Sequence, residues 1–227
     1  MLSIIEIYRS IQGESTFSGL PCTFVRLAGC NLRCTWCDSE YTFSGGKKME
    51  TDAIFADVQR LSPNGLVEIT GGEPMLQERE LVPFMQRLID SGYQVLIETS
   101  GERPLANVPK QVHKIVDVKC PDSGAADTFN SENLAVLTKN DEIKFVIASQ
   151  RDYDFARDFT REHRLEEKVN SVIFSPAFRK DATGARDASH CLISPCQIAD
   201  LIVKDGLNVR LGLQIHKFIW DPATKGV

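Results

Sequence analysis

The sequence predicts an α/β fold, an incomplete, TIM-like partial barrel of about six parallel strands with fewer helices than strands. Three observations carry this expectation. Short runs dense in Val and Ile recur along the chain, with helical patterns between most of them. Their apolar density suits a parallel sheet covered on its faces. One connection, from Glu98 to Lys114, carries Pro104 and Pro109 and fits a full crossover helix poorly.

Taken in order, the strand-like runs are Cys22–Ala28, Leu66–Thr70, Tyr93–Glu98, Lys114–Val118, Glu142–Ala148 and Val169–Phe174. A last short strand is expected at Leu207–Gln214. Helical patterns occupy Asp52–Leu61, Gln77–Asp90, Arg151–Arg164 and Ile193–Lys204. Ser91-Gly92 and Asp205-Gly206 supply stop signals for two of them. Strand–helix alternation implies right-handed βαβ units. No repeat or linker interrupts the pattern, so residues 1–227 are expected to form one domain. Thr70, Glu98, Lys119 and Ser175 fall at or just past the C-terminal ends of the expected strands. In barrels and open α/β sheets, active sites form on that face.

Composition narrows the function classes. A net charge of -5 argues against broad nucleic-acid binding. No apolar run approaches the ~20 residues of a membrane helix. The N-terminal MLSIIEIYRSIQGES lacks the basic start and long apolar run of a signal peptide. A cytoplasmic protein with no membrane or nucleic-acid partner is expected, and a homodimer is compatible with the sequence. Seven cysteines, an odd number in a chain this long, do not suggest a disulfide framework and point instead to metal or catalysis.

The segment Gly29–Tyr41 reads GCNLRCTWCDSEY, which spaces Cys30, Cys34 and Cys37 as C-x3-C-x2-C. Three thiolates on one short loop can converge on one inorganic cluster. Iron–sulfur cubanes usually take four cysteines, so three would leave one iron open. A zinc site would want a fourth Cys or His nearby, and the next histidine in sequence is His113. A redox dithiol lacks its two-cysteine pattern at a helix start. Downstream, Thr70–Pro74 reads TGGEP directly after a strand. Adjacent glycines let the backbone approach a ligand closely, and exposed carbonyls with Glu73 could accept from an ammonium group. An ordinary turn before a helix would carry the same residues.

Together, the cysteine spacing, Trp36 just before the third cysteine, and TGGEP resemble the radical S-adenosylmethionine superfamily. The resemblance implies a [4Fe-4S] cluster on Cys30, Cys34 and Cys37 whose open iron chelates S-adenosyl-L-methionine. It implies cofactor contacts from Trp36, Gly72, Glu73, the segment Asp117, Val118 and Lys119, and the segment Ser175, Pro176, Ala177 and Phe178. The last two segments depart from the commoner Ser-Pro-Lys and Gln-Pro patterns, so backbone contacts are expected there rather than side-chain ones.

A finer resemblance covers nearly the whole chain. SIQGE at Ser10–Glu14, Arg26, Asp38-Ser39, ITGGEP, IETSG at Ile97–Gly101 and QIHK at Gln214–Lys217 are similar, in this order, to the 7-carboxy-7-deazaguanine synthase family. The substrate implied is 6-carboxy-5,6,7,8-tetrahydropterin, read by Ile11, Gln12 and Gly13, with Arg26 on its carboxylate and Thr70 beside it. Gln12 suits this role because an amide both donates and accepts, and Arg26 suits a carboxylate. An arginine on a surface edge strand is the plainer reading of Arg26. The resemblance also implies a magnesium ion on Ser39, although a serine after Asp38 also suits a simple turn. It implies a flavodoxin or ferredoxin reductant. The radical chemistry belongs to the cofactor, so Glu14, Glu98 and His216 are expected in minor roles only. By the same resemblance, some members of the family end near the position of Pro222, and a terminal carboxylate that serves there is not expected to serve here.

Two other classes remain open from sequence. A glycyl-radical activating enzyme shares the cysteine spacing but not SIQGE, Arg26 or QIHK. A zinc- or cluster-stabilised interaction module leaves TGGEP unexplained. Cys22, Cys120, Cys191 and Cys196 lie outside the motif and are read as structural thiols. Iron analysis of the reconstituted protein is therefore expected to give about four irons per chain; about eight would reveal a second cluster.

Overall fold

The computed structural model describes residues 1–62 and 65–227. Strand β1 (Leu2–Ile11) pairs antiparallel with β2 (Pro21–Leu27) and with the short edge strand β3 (Lys47–Met49). Helix α1 (Thr51–Leu61) leads into β4 (Leu66–Gly71), then a 3-10 turn at Pro74–Gln77 and α2 (Glu78–Asp90). Next come β5 (Gln94–Thr99), β6 (His113–Asp117) and β7 (Glu142–Ile147), then α3 (Gln150–Glu162) and α4 (Leu165–Lys168). The chain ends with β8 (Ser171–Pro176), α5 (Pro195–Asp205), β9 (Arg210–Leu211) and α6 (His216–Ile219).

Among the described residues, nine strands form one sheet in the order β3-β1-β2-β4-β5-β6-β7-β8-β9. From β2 to β9 every neighbouring pair is parallel. The sheet stays open between β3 and β9, so the barrel is partial, as expected. The β5–β6 connection contains no helix among the described residues, in keeping with its prolines. No described helix is long and apolar enough to cross a membrane.

Alternation along the strands separates two apolar layers. Outward residues such as Val25, Val67, Ile69, Val95, Val116, Phe145 and Phe174 are buried with Ile54 and Val58 of α1, Leu81 and Leu88 of α2, Tyr153 of α3 and Ile198 of α5. Inward, Cys22, Phe24, Leu66, Leu96 and Ile115 form a smaller plug with Tyr8 and Phe17. Further along the same inner face the residues turn polar: Arg26, Thr70, Glu98, Asp117 and Lys144. The plug closes one end of the barrel and leaves the C-terminal strand ends to the site.

The N-terminal strands β1 and β3 were not among the sequence expectations. In β1, LSIIEIYRSI, only Leu2 and Ile4 are buried, and Glu6, Arg9 and Ser10 interrupt the apolar residues that follow. The expected Leu207–Gln214 strand contracts to Arg210–Leu211, an exposed edge pair. Helix α5 starts at Pro195 rather than Ile193, with proline at its first turn where its missing N–H is harmless.

At the base of β6 and β7, Lys114 Nζ lies 3.0 Å from Asp141 Oδ1. Asp141 is fully buried and also accepts from the backbone N–H groups of Lys114 (3.0 Å) and Thr138 (2.8 Å). Removing one partner strands the other charge in a dry environment. Asp141→Ala is expected to lower unfolding free energy by about 3–5 kcal/mol in urea titrations.

Candidate active site

A cavity of about 230 Å³ opens at the C-terminal ends of the parallel strands. Cys30, Cys34 and Cys37 line one side of it, on the loop that leaves β2. All three are free, half-buried thiols. The loop is tied down from several directions. Gly29 N–H donates to Thr42 O at 2.7 Å, and Cys37 N–H to Cys34 O at 3.2 Å. Thr35 donates from its N–H to Ser123 O at 3.0 Å and from its hydroxyl to Asp122 O at 3.1 Å.

The glycine pair explains why TGGEP follows β4. Gly71 has φ +144 and packs on the β2 backbone, where an added Cβ would sit 2.6 Å from Leu27 N. A Cβ on Gly72 would collide with Gly29 O and lie 2.8 Å from Cys30 Cβ. Only glycine lets the turn and the cysteine loop meet this closely.

These thiols fit a polynuclear cluster. Burial pushes all three up from the ordinary cysteine value, so a bound cation would be needed to hold them as thiolates. Among the described residues, no group of three or more Cys, His, Asp or Glu side chains is gathered as for a bound metal ion. The fit rests on the donor set, three cysteines of one loop lining one cavity.

Of the other cofactor candidates, Trp36, Gly72, Asp117, Lys119 and Phe178 line the cavity. Lys119 Nζ pairs with Asp117 Oδ2 at 2.8 Å, while the buried Asp117 Oδ1 has no hydrogen-bond partner. Glu73, Val118, Ser175, Pro176 and Ala177 do not line it. Glu73 is 1% exposed, and its carboxylate accepts from Met75 N–H, the Thr99 hydroxyl, and the N–H and hydroxyl of Ser100. It binds the turn to the end of β5 rather than waiting for an ammonium group. Val118 belongs to the outer apolar layer, and Ser175 donates to Gly212 O at 3.0 Å. Ala177 is fully buried, with its N–H on Ile147 O.

Ile11, Gln12, Gly13, Arg26 and Thr70 all line the cavity. Arg26 is no surface arginine: β2 lies between β1 and β4, and its side chain is 16% exposed. Its Nε donates to Glu6 at 2.8 Å and one terminal nitrogen to the Tyr8 hydroxyl at 2.6 Å. Gln12 is already engaged at both ends, its Nε2 donating to Glu68 at 2.8 Å and its Oε1 accepting Glu14 N–H at 2.5 Å. Its side chain organises the turn, leaving the backbone of Ile11 and Gly13 nearer the role sequence gave to all three.

Of the cavity floor, sequence reasoning named Glu14 and Glu98 in minor roles and missed Lys144. Lys144 of β7 is buried and forms ion pairs with Glu14 (2.6 Å) and Glu98, with Asp117 at 3.8 Å. Burial alone would raise Glu14, but Lys144, His216 and Gln214 hold it down at about 2. Burial and the neighbouring Glu14 push Glu98 up, against the pull of Lys144. The signal was a charge at an inward position of an otherwise apolar strand, EIKFVI, opposite QVLIET.

The QIHK segment closes one wall. Gln214 donates to Glu14 at 2.8 Å, Ile215 N–H donates to Gly13 O at 2.9 Å, and the His216 ring packs against Gly13. Burial pushes the His216 imidazole below its ordinary value. Lys217 Nζ reaches Asp38 at 2.6 Å, and Asp38 also accepts from the Ser39 hydroxyl at 2.9 Å. Against the desolvation of the pocket, Lys217 and Ser39 hold the Asp38 carboxyl well below the carboxylate range. Contrary to expectation, the C-terminal turn folds back: Lys225 lies 4.4 Å over the Tyr41 ring and Val227 reaches the cavity.

Comparison with known proteins matches this arrangement. The radical SAM superfamily profile fits residues 25–170. The 7-carboxy-7-deazaguanine synthase of Koribacter versatilis is 70% identical over the full length of both chains. The chain belongs to the radical SAM superfamily, among the 7-carboxy-7-deazaguanine synthases. A second relative of that name, from Chlorobaculum tepidum, is 38% identical over all of this chain and 97% of its own. The crystal structure of QueE from Escherichia coli shares the fold, with a TM-score of 0.69 and 24% identity over 93% of each chain. Membership in this family brings a [4Fe-4S] cluster and S-adenosylmethionine, for which the three thiols and the glycine turn provide the setting.

Lys144 is the cation on which the synthase's floor depends. Lys144→Met is expected to destabilise the fold by about 3–5 kcal/mol at pH 8. The loss should shrink at pH 5, where Glu14, no longer held down, can take a proton. Urea titrations at the two pH values check this.

Proposed function

We propose that this synthase converts 6-carboxy-5,6,7,8-tetrahydropterin to 7-carboxy-7-deazaguanine with loss of ammonia, within one domain. The observation that carries the reading is that one cavity is lined by the three cysteines, by Glu14 and Glu98, and by Arg26. The thiols suit the cofactor half of the task, and the charged groups suit the substrate half.

When bound, the cluster and S-adenosylmethionine supply the radical chemistry. The chain's own residues bind, orient and exclude water. A pterin's amine- and amide-rich edge offers N–H donors, and Glu14 and Glu98, paired through Lys144, offer acceptors at the floor. Backbone groups of Ile11 and Gly13 flank that edge. Arg26, held by Glu6 and Tyr8, presents its remaining guanidinium edge to the carboxylate. Lys119 and Asp117 stand beside Cys34, where a ribose or an ammonium could meet either charge.

Ser39 lines the same cavity, and its hydroxyl proton goes to Asp38, leaving oxygen lone pairs for a hard cation. Magnesium held there with the substrate carboxylate is part of the proposal. The loop residues Asn31, Arg33 and Thr35 are exposed, so a flavodoxin or ferredoxin could approach the cluster from that side. A homodimer is proposed on the same footing as from sequence alone.

Anaerobic turnover tests the reading. Reconstituted, reduced protein with S-adenosylmethionine, magnesium and the pterin should form 7-carboxy-7-deazaguanine by mass spectrometry, and Cys34→Ala should form none. 5′-Deoxyadenosine without the deazaguanine would retain the radical class and reject the substrate.

A further inference from the structure

One acid in the cavity wall has no task in the scheme above. Glu68 lies in the middle of β4, is 1% exposed, and faces inward. Its neighbours in register are Phe24 on β2 and Leu96 on β5, both members of the apolar plug. Its hydrogen bond comes from Gln12 Nε2 at 2.8 Å. No cation pairs with it among the described residues; Lys144, whose charge reaches it, is already engaged by Glu14 and Glu98.

We propose that Glu68 is a positioning residue: by accepting the Gln12 amide, it holds the Gln12–Glu14 turn against the cavity wall in the geometry the substrate needs. The chain of contacts is continuous. Gln12 Oε1 takes Glu14 N–H at 2.5 Å, and Gln12 also closes the following loop through Leu20 O and Gly19 N–H, each at 2.8 Å. Glu14 then carries the floor to Lys144 and Gln214. Glu68 thus sets, from behind, the groups that face the cavity.

The role calls for the neutral acid. The charged and titratable groups around it are Tyr8 of β1, Cys22 of β2, Glu98 of β5, Lys144 of β7 and Glu14 of the turn. Burial first, then the nearby Glu98, push Glu68 up to about 8. Ionising it adds a negative charge that competes with Glu14 and Glu98 for the one lysine, displacing the turn. Because the folded pKa lies above the ordinary 4.5, the stability held by the neutral form is complete below pH 4.5 and is lost as pH rises through about 8.

Glu68→Gln keeps an acceptor for Gln12 and is neutral at every pH, whereas Glu68→Leu is equally neutral but removes the acceptor. The inference deepens the synthase reading, and two of its readouts need no substrate. In cluster-loaded protein without substrate, amide exchange across residues 12–20 should be unchanged in Glu68→Gln and at least tenfold faster in Glu68→Leu. The fall in urea midpoint between pH 5 and pH 9 seen in the parent should be smaller in Glu68→Gln. With the pterin, the parent's KM should rise above pH ~8 at steady kcat, Glu68→Gln should stay level, and Glu68→Leu should show about tenfold higher KM throughout. Parent-like exchange in Glu68→Leu, or a parent-like stability slope in Glu68→Gln, would overturn the proposal. The slope alone decides if Glu68→Leu does not fold. A parent enzyme that makes no deazaguanine yet shows these exchange and stability effects would reject the substrate and keep the positioning role.

Discussion

The site depends on one buried cation. Lys144 stands inside the barrel with Glu14 and Glu98 bonded to it and Asp117 nearby. Without it, three carboxyls would face one another across a cavity too dry to hold them all ionised. With it, Glu14 stays charged while Glu98 is pushed up, so the floor offers acids of different strength to whatever binds above. Each comes from a different element. The lysine therefore fixes the charge of the floor and also the distance between the turn after β1 and strands β5, β6 and β7.

The inner face shows how a partial barrel divides its labour. Toward the N-terminal strand ends, the lumen is filled by Cys22, Phe24, Leu66, Leu96 and Ile115, as in a packed barrel core. Toward the other end, the same strands present charge. The register carries both, because residues two apart on one strand point the same way. Glu68 and Glu142 depart from this, two buried acids in register with residues of the apolar plug, and the neutral state of Glu68 follows from that address.

Much of the fold was legible because burial on both faces writes dense Val and Ile runs into parallel strands. Six such runs became β2 and β4 to β8 within a few residues. Strand β1 stayed hidden because polar residues interrupt both of its faces, Glu6 and Tyr8 on the inner one and Arg9 on the outer. The cysteine loop and TGGEP were legible because their chemistry is local to a few consecutive residues. The floor was legible only through Glu14 and Glu98, since Lys144 and Glu68 are single residues on separate strands and only the sheet brings them together. Glu73 shows the converse: its motif was visible, but its bonding to Thr99 and Ser100 could not be read from the turn alone.

The turn that faces the cavity is made early and completed late. Its Thr16 hydrogen-bonds Glu142, its Glu14 takes Lys144, and its Gly13 and Glu14 wait for Ile215 and Gln214. On a ribosome, the first residues of the site thus leave the exit tunnel some two hundred residues before their last partner. The wall of the pocket is thus built from partners far apart in the chain, and the segment that closes it is the last of them to be made.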